Sequence, residues 1–171
     1  MSAVPDGAPA PAFETRNQTG QPVSSAGLRG RPLLLVFFPF AFTSVCTGEL
    51  RALSERRDRI EATGCRLVAV STDTMFTLRV FDEQEGLGFP LLTDHWPHGR
   101  IASDYGVFDT SLGCANRASF LIDAAGTVRW QDSSDLPVPR DFDAHLRAIT
   151  ELVATPTPDG ADPVPKLNSA G

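Results

Sequence analysis

The chain has 171 residues, 42% of them hydrophobic and 21% charged, with a formal net charge of −6 from 15 basic and 21 acidic residues. That is enough for one ordinary domain with a full core, and it contains no basic block of the kind needed to neutralise nucleic-acid phosphates. No apolar run approaches the roughly 20 residues that span a bilayer. The opening "MSAVPDGAPAPAFE" lacks both the charged and the greasy region of a signal peptide, so none is expected. Cys46, Cys65 and Cys114 are irregularly spaced and do not form a disulfide framework, which fits a reducing, cytoplasmic setting.

From the N-terminus, the Pro- and Ala-rich stretch up to residue 12 reads as loose, with residues 1–7 a flexible arm and residues 8–153 the domain. Segments 13–16 and 22–24 flank "NQTG" and predict a small hairpin. "LLLVFF", residues 33–38, is a continuous apolar run with the look of a central strand buried on both faces. A helix is expected over residues 43–63, with Leu50, Leu53 and Ile60 on one face and Gly64 as its stop. "RLVAVST" reads as a second buried strand. "DTMFTLRVFDEQEG" reads as a helix capped by Asp73 or Thr74, with Phe76, Val80 and Phe81 facing inward. "FPLLTD" follows as a strand, "GRIASDYG" as a short helix and "ASFLIDAAGTVRW" as a hairpin. "RDFDAHLRAITELVA" closes the domain with Phe142, Leu146, Ile149 and Val153 on one helical stripe. The Pro-rich residues 154–171 read as a flexible tail. The order indicates an α/β fold, a central mixed β-sheet flanked by helices with an N-terminal β-hairpin.

Cys46 is the residue that asks for an explanation. It lies in "FFPFAFTSVC", just past the start of the helix predicted over 43–63. There, unpaired N–H groups and the positive end of the helix dipole favour a thiolate, the reactive form of a thiol. Full deprotonation supplies only about ten- to thirtyfold more nucleophile, roughly 1.4–2 kcal/mol, so fast chemistry also needs donors for charge moving onto a departing atom. Pro39 ends the strand and turns the chain, Thr43 offers a hydroxyl one turn before Cys46, and the Val45 and Cys46 amides point outward. On spacing alone, a lone cysteine beside aromatic residues is more readily a small buried hydrophobe.

"PFAFTSVC" matches the P-x-x-x-T-x-x-C signature of peroxiredoxins, and residues 8–153 resemble that family throughout: "GAPAPAFE", "VAVSTD", "FPLLTD" and "ANRASFLID" follow in order. The text is most similar to the one-cysteine subgroup called alkyl hydroperoxide reductase E, whose "FWPHG"-like segment stands here as "DHWPHG". The resemblance implies a thioredoxin-like fold, with Cys46 as the peroxidatic cysteine, Thr43 bonding peroxide and thiolate, and Pro39 shielding the pocket. It implies that Arg117 holds the thiolate and donates to the peroxide, and that Glu49 orients Arg117. It also implies a thiol-dependent peroxidase without a cofactor, reducing hydrogen peroxide and organic hydroperoxides, with peroxynitrite a candidate. The external reductant would be a low-molecular-weight thiol with a glutaredoxin-like partner (mycothiol and mycoredoxin in GC-rich lineages), or thioredoxin. A homodimer is expected on the same ground.

The resolving cysteine that many members place five residues on is absent, since Arg51 stands there. Cys65 looks like a core position; Cys114 is a candidate resolving thiol, although spacing alone does not bring two Cα atoms within ~7 Å. Phe40, Phe42 and Trp96 suggest an apolar lip for bulky hydroperoxides, or core or subunit contacts. Asp94, His95 and His98 are a weak metal set, and no metal is expected. Two alternatives compete: a thioredoxin-type thiol–disulfide oxidoreductase, which needs a cysteine where Glu49 stands, and a non-catalytic interaction domain. A copper chaperone with C-x-x-x-C is disfavoured by Leu50.

Overall fold

A computed structural model describes residues 3–155. In chain order its elements are β1 (Glu14–Arg16), β2 (Pro22–Ser24), a 3-10 turn (Ala26–Leu28), β3 (Leu33–Phe37), α1 (Ser44–Ala62), β4 (Arg66–Ser71), α2 (Met75–Glu85), β5 (Leu91–Thr93), α3 (Arg100–Asp104), β6 (Phe108–Asp109), β7 (Cys114–Ala115), β8 (Arg117–Ile122), β9 (Val128–Ser134) and α4 (Phe142–Ala154). β1 and β2 form the expected hairpin, its turn closed by the Asn17 side-chain oxygen, which accepts from the Thr19 and Gln21 amides. The main sheet has the order β5-β4-β3-β8-β9. β3, β4 and β5 run parallel, while β8 and β9 are antiparallel additions, so the sheet is mixed.

The apolar run of β3 makes sense in this setting because alternate side chains leave it in opposite directions. Leu34 and Val36 join a core with Leu50 and Leu53 of α1, Leu78 and Phe81 of α2, and Phe142 and Ile149 of α4. Leu33, Leu35 and Phe37 enter a second core with Val68, Phe120, Phe13 and Ile101 of α3. Each such side chain contributes on the order of 1.5–3 kcal/mol by leaving water. Helix ends follow local chemistry. Gly64, at φ +84°, turns the chain after α1; Thr74 caps α2, its side chain accepting from the Thr77 amide. The Asp141 carboxylate caps α4 by accepting from the Asp143 and Ala144 amides.

Three expectations need correction. Phe76 and Val80 of α2 are 64% and 46% exposed, and Leu78 and Phe81 cover the sheet instead. At 100° per residue, 76 and 80 fall together on the side opposite 78. Val153 keeps its place on the α4 stripe but lies in the last turn, at the rim of an open groove with Pro32, Leu121 and Trp130, and is exposed. The stretch before Phe13 is bound rather than loose from Ala3 onward. Val4 N–H donates to Tyr105 O (3.2 Å), Gly7 N–H to Val128 O (2.7 Å) and Ala10 N–H to Gly126 O (2.9 Å), because backbone groups brought against the domain must find partners there, and Pro9 bridges Thr127 in antiparallel fashion. Arg117 is the first residue of β8, which is buried throughout. The tail beyond residue 155 lies outside the described residues. Among those residues, no helix is long and apolar enough to cross a membrane.

Candidate active site

β3 delivers the chain to the middle of the sheet's C-terminal edge. Phe38 N–H still pairs with Val70 O (3.0 Å), and the buried Pro39, with no N–H to give, then leaves the sheet. Thr43 is the N-cap of α1, with extended backbone at φ −78°, ψ 148°. The bond that closes the first turn is Thr47 N–H to Thr43 O (2.9 Å). The amides of Ser44, Val45 and Cys46 lie ahead of it and have no acceptor among the described residues. They leave the positive end of the helix dipole open at Cys46. Phe42 sits at φ +66°, a left-handed conformation that costs a non-glycine residue about 1–2 kcal/mol. Its ring packs edge-to-face on Phe81 at 5.1 Å.

Cys46 is 0% exposed, and Nη1 of Arg117 approaches its Sγ to 3.2 Å. Arg117 is itself fixed on two sides, by Nη1 to Glu49 Oε2 (2.6 Å) and Nε to Leu136 O (2.5 Å). Its Nη2 has no acceptor among the described residues. Glu49 lies one turn after Cys46 and is gripped by a second guanidinium. Arg140 donates to Oε1 from its amide (2.8 Å) and Nε (3.0 Å), and to Oε2 from Nη2 (3.0 Å). Burial alone would raise the Glu49 carboxyl, but the hydrogen bonds and charge of Arg140, aided by Arg117, hold it below its ordinary value. Two permanent cations thus face one carboxylate, with the Cys46 sulfur beside the nearer of them.

The description "AhpC/TSA family" belongs to a family model that matches residues 7–131, well over half of the chain. The chain belongs to that family. Alkyl hydroperoxide reductase E of Mycobacterium tuberculosis is 39% identical over 149 residues, covering 86% of this chain and 97% of the relative. Peroxiredoxin-2 of Pongo abelii is 35% identical over 153 residues, covering 84% and 85%. Among solved structures, Enterococcus faecalis AhpC superposes with a TM-score of 0.81 at 25% identity, over 86% of this chain and 91% of that one. The peroxidoxin BcpB of Mycobacterium tuberculosis gives 0.78 at 28%, over 86% and 97%. The chain is a peroxiredoxin of thioredoxin-like fold, similar to alkyl hydroperoxide reductase E.

In this peroxiredoxin, Arg117 bridges Cys46 and Glu49, and Pro39 and Val45 lie on the turn that leads into Cys46. Thr43 is adjacent but engaged elsewhere: its hydroxyl donates to Phe40 O (2.9 Å), not to sulfur. Phe40 and Phe42 are exposed beside the turn. Trp96, expected at the substrate lip or in a core or subunit contact, is 86% exposed. It lines a cavity of about 470 Å³ with Phe13, Thr15 and Arg100. Its loop follows the short edge strand β5, whereas Cys46 follows the central one. The Asp94 carboxylate accepts from the Ile101 and Ala102 amides (2.9 Å each), while His95 and His98 face the carbonyls of Thr72 and Gly113. Each side chain of the weak metal set is therefore committed to the backbone.

The two remaining cysteines are free and buried. Burial pushes the Cys65 thiol up to about 12. Cys114 is pushed up to about 11 by burial, then by the charges of Asp109, Cys46 and Asp73. Neither is poised to attack as a thiolate. Sequence reasoning passed over Arg140, whose Nη1 also donates to Phe37 O and Ala118 O (2.8 Å each) and to Ser119 Oγ (3.1 Å). Its one local signal is position, directly before the helix cap Asp141. Nothing in "PVPRDF" says that the guanidinium reaches under the sheet to Glu49. The Leu136 carbonyl was equally silent, and Asp73 was legible only as a candidate helix cap.

Proposed function

We propose that Cys46 is the peroxidatic nucleophile of a thiol-dependent peroxidase acting on hydrogen peroxide and organic hydroperoxides. The Cys46 thiolate attacks the outer oxygen of ROOH; the S–O bond forms as the O–O bond breaks, and the electron pair leaves on RO⁻, which takes a proton as ROH. Cys46 is left as sulfenic acid. Arg117 serves both charges, one amino group beside the sulfur and the other free to donate to peroxide oxygen as charge moves onto it. Glu49 and Leu136 O keep the fork aimed, the unpaired α1 amides favour the anion, and Thr43 can swing its hydroxyl from Phe40 O to the substrate. The observation that carries the proposal is the 3.2 Å contact between a buried cysteine and a doubly anchored guanidinium.

An external thiol, R′SH, then attacks the sulfenic acid and releases water, and a second thiol displaces the mixed disulfide to restore Cys46. That reductant is a low-molecular-weight thiol with a glutaredoxin-like protein, or thioredoxin. The mechanism is of the one-cysteine kind, supported by the neutral, buried state of Cys65 and Cys114. The enzyme works as a homodimer in the cytoplasm, in keeping with the resemblance and with its unpaired cysteines. Stopped-flow peroxide consumption tests the assignment. Cys46→Ser is expected to abolish the rate and Cys114→Ser to keep it, with mass spectrometry showing one added oxygen at Cys46. A Cys46–Cys114 disulfide in the wild type would overturn the one-cysteine scheme.

A further inference from the structure

Attack on peroxide needs the turn between β3 and α1 held in one geometry, yet that turn has few restraints. Among the described residues, and apart from the Thr47 N–H bond that joins Thr43 to α1, one hydrogen bond ties residues 39–43 to the rest of the fold: Ala41 N–H to Asp73 Oδ2, 2.9 Å. Its neighbour Phe42 is left-handed at φ +66° and relaxes if the turn is released. Asp73 is a fit anchor because it is held from three directions. Its Oδ2 also accepts from the Ser71 hydroxyl (2.7 Å), its amide donates back to Ser71 Oγ (3.3 Å), and its carbonyl accepts from the Thr93 hydroxyl (2.6 Å). It therefore joins the ends of β4 and β5, directly before the α2 cap Thr74.

We propose that Asp73 is a positioning residue of the peroxidase site: its carboxylate fixes the Ala41 amide, and through it the left-handed Phe42 and the helix start that presents Cys46. The proposal rests on Cys46 being the reacting thiol. It makes Asp73 act on two steps in opposite senses. A fixed turn orders the thiolate for peroxide, while the same restraint keeps the sulfenic acid at a buried sulfur away from bulkier thiols.

The test compares Asp73→Ala, which removes the acceptor, with Asp73→Asn, whose amide oxygen can take both bonds made by Oδ2. Two rates are read: oxidation of Cys46 by hydrogen peroxide, and capture of the resulting sulfenic acid by dimedone. Asp73→Ala is expected to slow oxidation about tenfold and to speed capture about tenfold, and Asp73→Asn to recover most of both changes. If both rates stay unchanged or fall together, as general damage to the fold would make them, or if Asp73→Asn behaves like Asp73→Ala, the proposal is overturned. Amide exchange at Ala41 in the wild type is an independent arm: protection supports the bond, and exchange at the rate of a free peptide overturns it whatever the variants do. Cys46→Ser must abolish both signals. If it still consumes peroxide, the assignment of the thiol fails, a result distinct from failure of the Asp73 restraint.

Discussion

Arg117 divides one guanidinium among three acceptors, Cys46 Sγ, Glu49 Oε2 and Leu136 O. The planar fork makes this possible, since its N–H groups leave in fixed directions and its charge is permanent. A lysine ammonium is a point charge on a flexible stem and cannot hold the same three partners while also donating to substrate. Arg117→Lys is therefore expected to slow Cys46 oxidation by about 10²–10³-fold, the usual effect of losing one donor to a developing oxyanion. Stopped-flow oxidation with hydrogen peroxide measures it. Retention of the wild-type rate would mean that positive charge near the sulfur suffices without the fork.

At the scale of elements, α4 is part of the site although none of its residues touches sulfur. Its apolar stripe seats it beside α1, and Asp141 caps it, so Arg140 at its entrance is placed under the sheet against Glu49, Phe37 O and Ala118 O. The Arg140–Glu49 pair is wholly buried. Removing one partner leaves a buried charge and two carbonyls without donors, so Arg140→Met is expected to destabilise the fold by about 3–5 kcal/mol. Urea unfolding measures the loss. Glu49→Gln in the same background should be much less damaging than in the wild type, because a buried charge is removed rather than orphaned. Additive losses would show that Arg140 and Glu49 do not depend on each other. α2 carries a lesson of the same scale: its exposed Phe76 and Val80 are apolar but face away from the sheet, and only the seat of the helix distinguishes them from Leu78 and Phe81.

For the whole molecule, acid stability is expected to fall in two stages. His145 is fully buried between Trp130 and Phe142, with ring centroids 4.8 Å away on each side. Its Nδ1–H donates to Asp141 O (2.8 Å), and its Nε2 has no hydrogen-bond partner among the described residues, the Asp132 carboxylate standing 3.9 Å off. Burial lowers its pKa from 6.5, with the Arg140 charge in the same direction; the Asp141 carbonyl and the charges of Asp132 and Asp141 oppose the shift. A depressed folded pKa means that the unfolded chain binds the proton first, so stability present above pH 6.5 is lost as pH falls through the lower folded value. Glu49, also depressed, repeats this below its ordinary 4.5. Urea midpoints followed from pH 8 to pH 3 should show both declines, and His145→Asn should erase the first. A single decline confined to the carboxylate range would remove His145 from the account.

The order of strands and helices, the mixed sheet and the cysteine at a helix start were legible in the sequence, because they follow from local rules. A run such as "LLLVFF" tolerates no exposed face, and a proline, a capping threonine and a glycine stop bound a helix wherever it is placed. Spacing alone left Cys46 ambiguous with a buried hydrophobe; the family signature around it is what singled it out. Contacts between residues far apart in the chain were decided by the tertiary structure. Arg140 meets Glu49 across 91 positions and Arg117 meets Cys46 across 71, and in both cases the local sequence on either side is indifferent to the pairing. Trp96 is a residue with a suggestive neighbourhood that the structure leaves exposed on the loop after the edge strand β5. Charge and hydrogen-bond energy depend on distances of a few ångströms in a dry interior, and those distances exist only once the sheet has closed over its two cores.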